Sequence, residues 1–392
     1  MIDEILSIVE RHEQWREHEC INLIPSENVM SQQARILLSS ELTHRYTTRR
    51  RFYMGTKFTD EIERYGEKLA REVFNAEIAD LRPLSGHIAD LIFFANSTKA
   101  RDIVVCVSEG DGGYPGMWKN ALPKFLKFKV IGFPFSKERR NIKTEEAREL
   151  IQRIKPKVIV FGASLFLFPQ PVRELARVAH EVDANVGYDG SHVMGLIAGK
   201  TFQDPLREGA DALFGSTHKS FFGPQGGIFL ADKALGEKVR KNIFPAYVDN
   251  AHWNRIAALT LALAEMKEFG RSYATQVVNN SQALARALGD YGFPVACHAY
   301  GYTKSHQVFL NFGGYTAGKA IAERLEKANI IADCTVRLGT CEATRRGMKE
   351  KEIQEIAVLM KRVIMDKEKP SKVKKDSIKL AGEFQKIAYC FD

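Results

Sequence analysis

The stretch from about residue 60 to residue 235 alternates between two hydrophobic patterns, and this alternation limits the possible folds most. Short runs that are apolar and β-branched or bounded by glycine are typical of buried strands, whereas apolar residues spaced three or four apart are typical of helices. The strand-like runs lie at 102–108, 158–164, 185–191 and 226–232, and the helical runs lie at 60–76, 85–98, 144–154 and 171–182. Such a chain is expected to form an α/β sheet covered by helices on both faces.

The remainder of the chain predicts a second, smaller domain. The chain has 392 residues, which is long for one compact core. Residues 251–290 have a mostly helical pattern, and shorter strand and helix patterns follow them. We therefore predict three parts: an N-terminal arm and helix over 1–50, a large domain over 51–270, and a small α+β domain over 271–392.

The composition argues against a membrane or metal protein. No run approaches the roughly 18 apolar residues of a membrane span, and the charged start, with an amphipathic helical pattern, lacks the apolar core of a signal peptide. The six cysteines form no Cys-x-x-Cys pair, which suits a reduced compartment and no bound metal. We expect a cytoplasmic protein.

The net charge of +9 does not by itself predict a nucleic-acid partner. Much of the excess lies in 45–52 and 367–379, and no nucleic-acid-binding motif accompanies either run. The second run has the composition of a solvated turn or tail. We therefore expect no nucleic-acid partner.

Three polar features follow strand-like runs, where open α/β sheets bind ligands. Ser85 and Gly86 precede a helix whose first N–H groups suit a phosphate, although a plain N-cap is the commoner explanation. Asp189 closes a strand and His192 follows it, but a turn aspartate and a core histidine explain this pair equally well. Lys219 stands at the end of an apolar segment that has a strand-like pattern.

Lys219 is the third feature, and it is most informative when it is considered together with the other two. A partly buried lysine has a lowered pKa, which suits Schiff-base chemistry, although a lysine that caps carbonyl groups is the better explanation for Lys219 alone. Its neighbours Thr217 and His218 can contact a phosphate or a ring. A phosphate loop, an acid and a lysine on successive strand ends are the set that pyridoxal 5'-phosphate requires. We predict this cofactor.

Beyond these features, the chain resembles the serine hydroxymethyltransferase family from about residue 20 to residue 347. The segments that carry the resemblance are 22–28, 42–46, 51–55, 85–90, 189–197, 216–227 and 336–347. The Thr-His-Lys and arginine segments, 216–227 and 336–347, are the most specific. The resemblance implies a fold-type-I pyridoxal-phosphate transferase with a mixed, mostly parallel seven-stranded sheet in the large domain.

The resemblance also implies roles for single residues. Lys219 would bind the cofactor aldehyde, Asp189 would pair with the pyridine nitrogen, and His192 would lie near the ring oxygen and the substrate. Tyr114 stands where the family has a stacking histidine, and its ring can stack equally well. The further cofactor contacts are assigned to Ser85, Gly86, His87, Thr217 and His218.

The resemblance also implies contacts with the substrate. Arg337 would grip the substrate carboxylate with its guanidinium fork, and Ser26 would lie close to that carboxylate. Tyr46 and Tyr53 would take part in catalysis, with Tyr46 reaching in from a partner subunit. A homodimer is therefore the implied active unit.

Several departures from the family pattern concern the phosphate and folate. Gln225 replaces an arginine, and Asp249-Asn250 replaces a Gly-Gly pair that reaches the phosphate. Thr47 and Thr48 stand where the family has a glutamate that serves folate-dependent transfer. The family's folate-contacting loop is also absent, because only a few residues separate Ile331 from the arginine of 336–347.

These observations predict aldol and retro-aldol chemistry on serine, threonine, glycine or a related β-hydroxy amino acid. Use of a folate or a modified pterin is doubtful on the same evidence. Two alternatives stay open at this point. One is another pyridoxal-phosphate reaction, such as transamination or racemisation, and the other is a non-catalytic paralogue.

Overall fold

The structure is a computed structural model that describes residues 1–47 and 52–391. Contacts between residues divide the chain into two compact units. The larger unit contains Asn28–Ala274 and the C-terminal residues from Cys390 onward, and the smaller unit contains Met1–Glu27 and Thr275–Tyr389. The boundary predicted at 270/271 falls inside one long helix. The division into an N-terminal arm, a large cofactor-binding domain and a small C-terminal domain stays a prediction.

The predicted alternation of strands and helices is present in the larger unit. In the described residues the strands are β1 (Ile21–Asn22), β2 (Ile78–Asp80), β3 (Ile103–Cys106), β4 (Lys129–Gly132), β5 (Phe135–Ser136), β6 (Asn141–Ile142), β7 (Val158–Phe161), β8 (Asn185–Asp189), β9 (Ala212–Ser216), β10 (Gly227–Ala231), β11 (Gln307–Phe309), β12 (Ile330–Ile331) and β13 (Arg337–Gly339). The α-helices are α1 (Ile2–Glu13), α2 (Gln32–Leu38), α3 (Lys57–Phe74), α4 (Gly86–Ser97), α5 (Leu122–Leu126), α6 (Thr144–Ile154), α7 (Val172–His180), α8 (Met194–Ala198), α9 (Lys233–Ala246), α10 (Trp253–Asp290), α11 (Tyr315–Glu326), α12 (Cys341–Arg345), α13 (Glu350–Ile364) and α14 (Pro370–Glu383). Short 3₁₀ segments lie at Glu41–His44, Glu109–Asp111, Pro115–Met117 and His298–Tyr300, and a π-helical segment lies at Gln14–Glu19.

The main sheet of the larger unit is mixed and mostly parallel, as predicted. Its seven strands within the described residues run in the order β2-β10-β9-β8-β7-β3-β4. β10 pairs antiparallel with both β2 and β9, and the other neighbouring strands are parallel. The residues of β7 are all buried, which explains why the parallel strands have continuous apolar runs instead of alternating ones. The carboxyl ends of β7, β8 and β9 therefore lie along one edge.

Helix α4 is apolar on nearly all sides because it packs into the core against β9 and β10. The Phe93 ring stacks on that of Phe214 in β9, with the ring centroids 4.7 Å apart. The helix begins at Ser85, whose backbone is extended and whose hydroxyl accepts a hydrogen bond from the Ile88 amide. This packing fixes the first turn of α4 next to the end of β9.

The smaller unit is built from short strand pairs and helices. β1 pairs parallel with β12, and β11 pairs antiparallel with β13. Helices α11, α13 and α14 pack around a core that includes Leu23, Leu284, Leu325, Ile353 and Met360. This arrangement matches the predicted α+β character.

The prediction of a solvated turn or tail at 367–379 is wrong. Most of this run belongs to α14, on which Val373, Ser377 and Leu380 are buried. These residues recur at helical spacing, so one face packs inward while the lysines occupy the rest of the surface. The lysine-rich composition hid the periodicity.

Helix α1 is the amphipathic helix expected at the chain start, but its apolar face is exposed. Ile5, Ile8 and Val9 each have about half or more of their ordinary accessible surface in contact with solvent, and no residue of α1 is buried. In the described residues no helix combines the length and apolar character needed to cross a membrane. The cytoplasmic location stays a prediction.

Candidate active site

A cavity of about 210 Å³ lies at the carboxyl ends of the parallel strands in the larger unit. Asp189 ends β8, Ser216 ends β9, and Ser164 follows β7. This is the sheet edge that the sequence predicted for a ligand. The lining residues are Ser85, Gly86, His87, Asp90, Tyr114, Ala163, Ser164, Asp189, Ser191, His192, Ser216, His218 and Lys219.

The start of α4 forms the part of the cavity predicted to hold phosphate. Ser85 caps the helix, so the plain N-cap explanation is correct for its hydroxyl. A side chain at Gly86 would place its Cβ 2.9 Å from the Ser216 amide nitrogen, so only glycine allows this close approach of α4 to β9. The first-turn N–H groups lack partners within the helix, and together with the helix dipole they favour an anion.

Asp189 is held by the turn that follows β8. Its Oδ1 accepts a hydrogen bond of 2.9 Å from the Ser191 amide, and the Ser191 hydroxyl accepts one of 2.9 Å from the Ser216 amide. The Asp189 and His192 side chains are both buried. These bonds fix the carboxyl group at the cavity wall.

Lys219 is positioned through its backbone by Asn28, the last residue of the family-like segment 22–28, and by Tyr273, which the sequence did not single out. The Asn28 side-chain amide donates to the Lys219 carbonyl oxygen and also contacts the Tyr273 hydroxyl, each at 2.8 Å. Tyr273 in turn donates to the Ser220 carbonyl oxygen at 2.9 Å. Asn28 and Tyr273 thus hold the backbone on both sides of the Lys219–Ser220 peptide bond.

Thr217 does not line the cavity, although the sequence assigned it to the cofactor. Its hydroxyl donates to the Pro224 carbonyl oxygen at 2.7 Å, and its carbonyl accepts from the Gly223 amide at 2.8 Å. Thr217 therefore stabilises the turn after Lys219. Gln225, one of the departures from the family, is exposed in the same turn.

Two aromatic or imidazole side chains of the cavity stay neutral near pH 7. Burial and the neighbouring Lys219 ammonium lower the pKa of His218 to about 4. Burial, together with the Asp90 and Asp189 carboxyl groups, raises the pKa of Tyr114 to about 12. The Tyr114 hydroxyl lies 3.2 Å from His87 Nδ1, and their rings meet edge to face.

Arg337 and Ser26, the predicted substrate contacts, belong to the smaller unit. The Gly339 amide at the end of β13 donates to the Leu23 carbonyl, so the segment that leads to Ser26 runs beside the strand that begins at Arg337. Arg337 donates from Nε to Asp333 Oδ2 at 2.9 Å and from its backbone amide to Asp333 Oδ1 at 3.1 Å. This ion pair orients the guanidinium group.

The residue before Arg337 has an unusual backbone conformation. Val336 is buried and has a φ of 55°, which a β-branched side chain rarely adopts. Such a conformation costs about 1–3 kcal/mol and persists only where the surroundings enforce it. Here Asp333 bonds to the amides of Thr335 and Arg337 on either side of Val336.

Tyr46 and Tyr53 are not among the cavity-lining residues. Both are exposed, their rings meet edge to face, and the Tyr46 hydroxyl donates to Asp249 Oδ2 in the same chain. That hydrogen bond is the main reason for a rise in the Tyr46 pKa to about 12. The predicted departure at Thr48 lies outside the described residues.

The fold has a close counterpart among solved structures. L-threonine transaldolase from Pseudomonas fluorescens, solved in an internal aldimine state, superposes with a TM-score of 0.93 and 26% sequence identity, and the match covers 100% of this chain and 94% of that one. Together with the lysine, the acid and the helix start around one cavity, this fold defines a pyridoxal-phosphate enzyme of fold type I.

The sequence comparisons identify the family. Residues 1–360 match the family described as serine hydroxymethyltransferase. The serine hydroxymethyltransferase of Methanocaldococcus jannaschii is 44% identical, with 98% of this chain and 94% of the relative covered. That of Thermococcus kodakarensis is 42% identical over 100% of this chain and 96% of the relative. The chain belongs to the serine hydroxymethyltransferase family. The predicted fold class, cofactor and enzyme class, a hydroxymethyltransferase or aldolase-like transferase, are confirmed.

The described residues fit pyridoxal 5'-phosphate. Three buried polar atoms of the cavity lack a hydrogen-bond partner in the described part of the chain, namely Asp90 Oδ1, Ser216 Oγ and His218 Nδ1. A bound ligand with polar substituents would satisfy such atoms. Among the described residues, no group of three or more His, Cys, Asp or Glu side chains is arranged to hold a metal ion.

Proposed function

We propose that this enzyme breaks and forms the Cα–Cβ bond of serine, threonine or a related β-hydroxy amino acid in the cavity at the strand ends. One observation carries the assignment: Lys219, Asp189 and the first turn of α4 line the same cavity of about 210 Å³. Pyridoxal phosphate, when bound, supplies an electron sink that allows a bond at the substrate α-carbon to break.

The cavity residues divide this work between them. Lys219 would bind the cofactor aldehyde, with its backbone held by Asn28. Asp189, fixed by the Ser191 amide, would keep a proton on the ring nitrogen. His87 and the α4 start would bind the phosphate, and Tyr114 would contact the ring. His192 would border the substrate. Because the pKa of His218 is about 4, this residue contributes an uncharged ring near Lys219.

Arg337 would bind the carboxylate of the amino-acid substrate, beside Ser26. Asp333 bonds to Nε of Arg337 and orients the guanidinium group, and a guanidinium group is the side chain best suited to hold a carboxylate. A planar donor fork of this kind holds a carboxylate through two parallel hydrogen bonds and so fixes its orientation.

We also propose a homodimer. Aromatic and apolar side chains around Tyr46 are exposed, and clusters of this kind are enriched at protein interfaces. The exposed residues of this patch are Tyr46, Phe52, Tyr53, Met54 and Phe58. In a dimer, Tyr46 would complete the partner's site after release from Asp249. Light scattering of the purified protein tests the assembly, and a monomer with full activity would contradict it.

The acceptor of the released one-carbon or aldehyde fragment is a separate question. Thr47 is buried where the family pattern has a glutamate, and β12 and β13 are separated by a short loop. These features favour a second candidate, in which the fragment is exchanged with an aldehyde, as the name of the Pseudomonas transaldolase describes for that enzyme. A folate would then be unnecessary.

The test is product analysis with purified enzyme and excess pyridoxal phosphate. Serine is supplied with and without tetrahydrofolate, and threonine with and without an aromatic aldehyde. Glycine formed from serine only with folate supports the hydroxymethyl transfer, and a new β-hydroxy amino acid from threonine plus aldehyde supports the exchange. Accumulation of pyridoxamine phosphate or of D-amino acid would instead indicate transamination or racemisation. No visible absorbance of bound cofactor would indicate a non-catalytic paralogue.

A further inference from the structure

Asp90 lines the cofactor cavity, yet none of the roles above uses it. It lies on α4, one helical turn after His87, and is 1% exposed. Its Oδ1 atom has no hydrogen-bond partner among the described residues. A buried carboxyl oxygen without a partner is costly, so its presence in a ligand cavity points to a bond made with the ligand.

The surroundings of Asp90 favour the uncharged form of its carboxyl group. Burial and the Asp189 carboxylate raise its pKa well above the usual value, and the opposing effect of Lys219 is smaller. The other titratable groups that line the cavity are His87 on the same helix, Tyr114, His192 and His218. Of these, Tyr114 and His218 are uncharged near pH 7 and offset no negative charge.

An ionised Asp90 would also conflict with the ligand. The bound cofactor presents anionic oxygens, on its phosphate and at its ring hydroxyl, and a carboxylate repels both. A protonated carboxyl group is instead a hydrogen-bond donor, and bonds to charged acceptors are the stronger ones. The same side chain is therefore unfavourable as an anion and favourable as an acid.

We propose that Asp90 is a neutral carboxylic acid that donates a hydrogen bond to an anionic oxygen of the bound cofactor. This proposal rests on the proposed function of the cavity. It makes Asp90 a residue of the cofactor site that contacts the cofactor while its own carboxyl group is uncharged. The cavity would then hold two aspartates that differ in charge, Asp189 as a carboxylate and Asp90 as a neutral acid.

Two variants separate charge from hydrogen bonding. Asp90→Asn keeps the shape, the neutral state and a donor, whereas Asp90→Leu keeps the approximate size and removes the donor. We expect the Kd for pyridoxal phosphate to change little in Asp90→Asn and to rise about tenfold or more in Asp90→Leu. Asn96→Leu is the matched control, because Asn96 is a buried polar residue of the same helix that bonds to Ile92 and Asn242.

Infrared spectroscopy supplies a readout that does not depend on activity. Protein labelled with carbon-13 at aspartate should show the band of a protonated carboxyl near neutral pH in the wild type but not in Asp90→Asn. Absence of this band, or a Kd in Asp90→Asn that is about tenfold or more above the wild-type value, would overturn the proposal. An unchanged Kd in Asp90→Leu would overturn it as well, and the first two readouts still decide if Asp90→Leu does not fold.

The same variants identify the acceptor. If Asp90→Leu loses affinity equally for pyridoxal and pyridoxal phosphate, and its visible absorbance shifts, the acceptor is the ring oxygen. If it loses affinity only for pyridoxal phosphate, the acceptor is a phosphate oxygen. Failure of the proposed function gives a different result from failure of the Asp90 proposal. If the cavity does not bind the cofactor through Lys219, Lys219→Ala leaves the absorbance of the bound cofactor unchanged, while the infrared band of Asp90 persists.

Discussion

Replacement of Tyr273 by phenylalanine tests how Lys219 is positioned. The fully buried hydroxyl bonds to Asn28 and to the Ser220 carbonyl, at 2.8 and 2.9 Å. Phenylalanine removes both bonds and leaves the Ser220 carbonyl without this donor, while the ring contact with Phe222 can remain. At about 1 kcal/mol for each lost bond, plus the cost of the unsatisfied carbonyl, we expect a loss of about 2–4 kcal/mol.

The functional effect should exceed the effect of the lost stability. Asn28 loses one of its two contacts, so the Lys219 backbone becomes less restrained, and affinity for pyridoxal phosphate should fall severalfold. The matched control is Tyr188→Phe. Tyr188 is equally buried and donates to Gln203 at 3.1 Å, but its side chain points to the sheet face opposite that of Asp189.

Urea unfolding of the apoenzyme measures stability, and absorbance titration with pyridoxal phosphate measures affinity. We expect Tyr188→Phe to lose about 1–2 kcal/mol and to keep its affinity for the cofactor. The positioning role would be refuted if both variants bound pyridoxal phosphate equally well under conditions where both are folded. Unchanged stability in Tyr273→Phe would refute the energetic estimate.

Three further predictions concern the same two units. Lys219→Ala should abolish the visible absorbance of bound cofactor, and a borohydride-reducible adduct on another lysine would show that the lysine is wrongly assigned. Asp333→Asn should raise the KM for amino-acid substrates about fivefold and change kcat little, because it removes a mostly buried ion pair that orients Arg337. A fall in kcat at constant KM would contradict this. Stability should decrease as pH falls from 6.5 towards 4, since His218 binds a proton more readily in the unfolded chain, where its pKa is 6.5, than in the folded chain, where it is about 4. Unfolding at several pH values in wild type and His218→Gln checks this, and an equal pH dependence in both would rule it out.

Much of the cavity could be predicted because its residues sit at the ends of locally recognisable strands and at a helix start. Asp189, Lys219 and Ser85 each follow a short apolar run, and parallel strands bring their carboxyl ends together. Asp90 could have been found as well, since it lies three positions after His87 on the same helix. Its acidic character simply did not match the phosphate role given to that segment.

The support of Lys219 could not be predicted in this way. Asn28 and Tyr273 are 245 positions apart in the chain, and neither has a local pattern that links it to the other or to the lysine. Their contact depends on where α10 packs, which periodicity does not determine. The run 367–379 shows the opposite error, because its lysines dominated the interpretation although Val373 and Leu380 had helical spacing.

The left-handed backbone of Val336 also has a consequence for how this enzyme can change over time. Glycine at this position would relieve the unfavourable conformation of a buried β-branched residue, but it would remove a packed side chain and loosen the loop from Asp333 to Arg337. Relief of about 1–3 kcal/mol of strain and loss of about 1.5–3 kcal/mol of burial largely offset each other, so glycine would change stability little while it loosens the approach to Arg337, which we propose to bind the substrate. A library randomised at this position should therefore contain glycine variants that resist heat about as well as the parent enzyme but bind the amino acid more weakly.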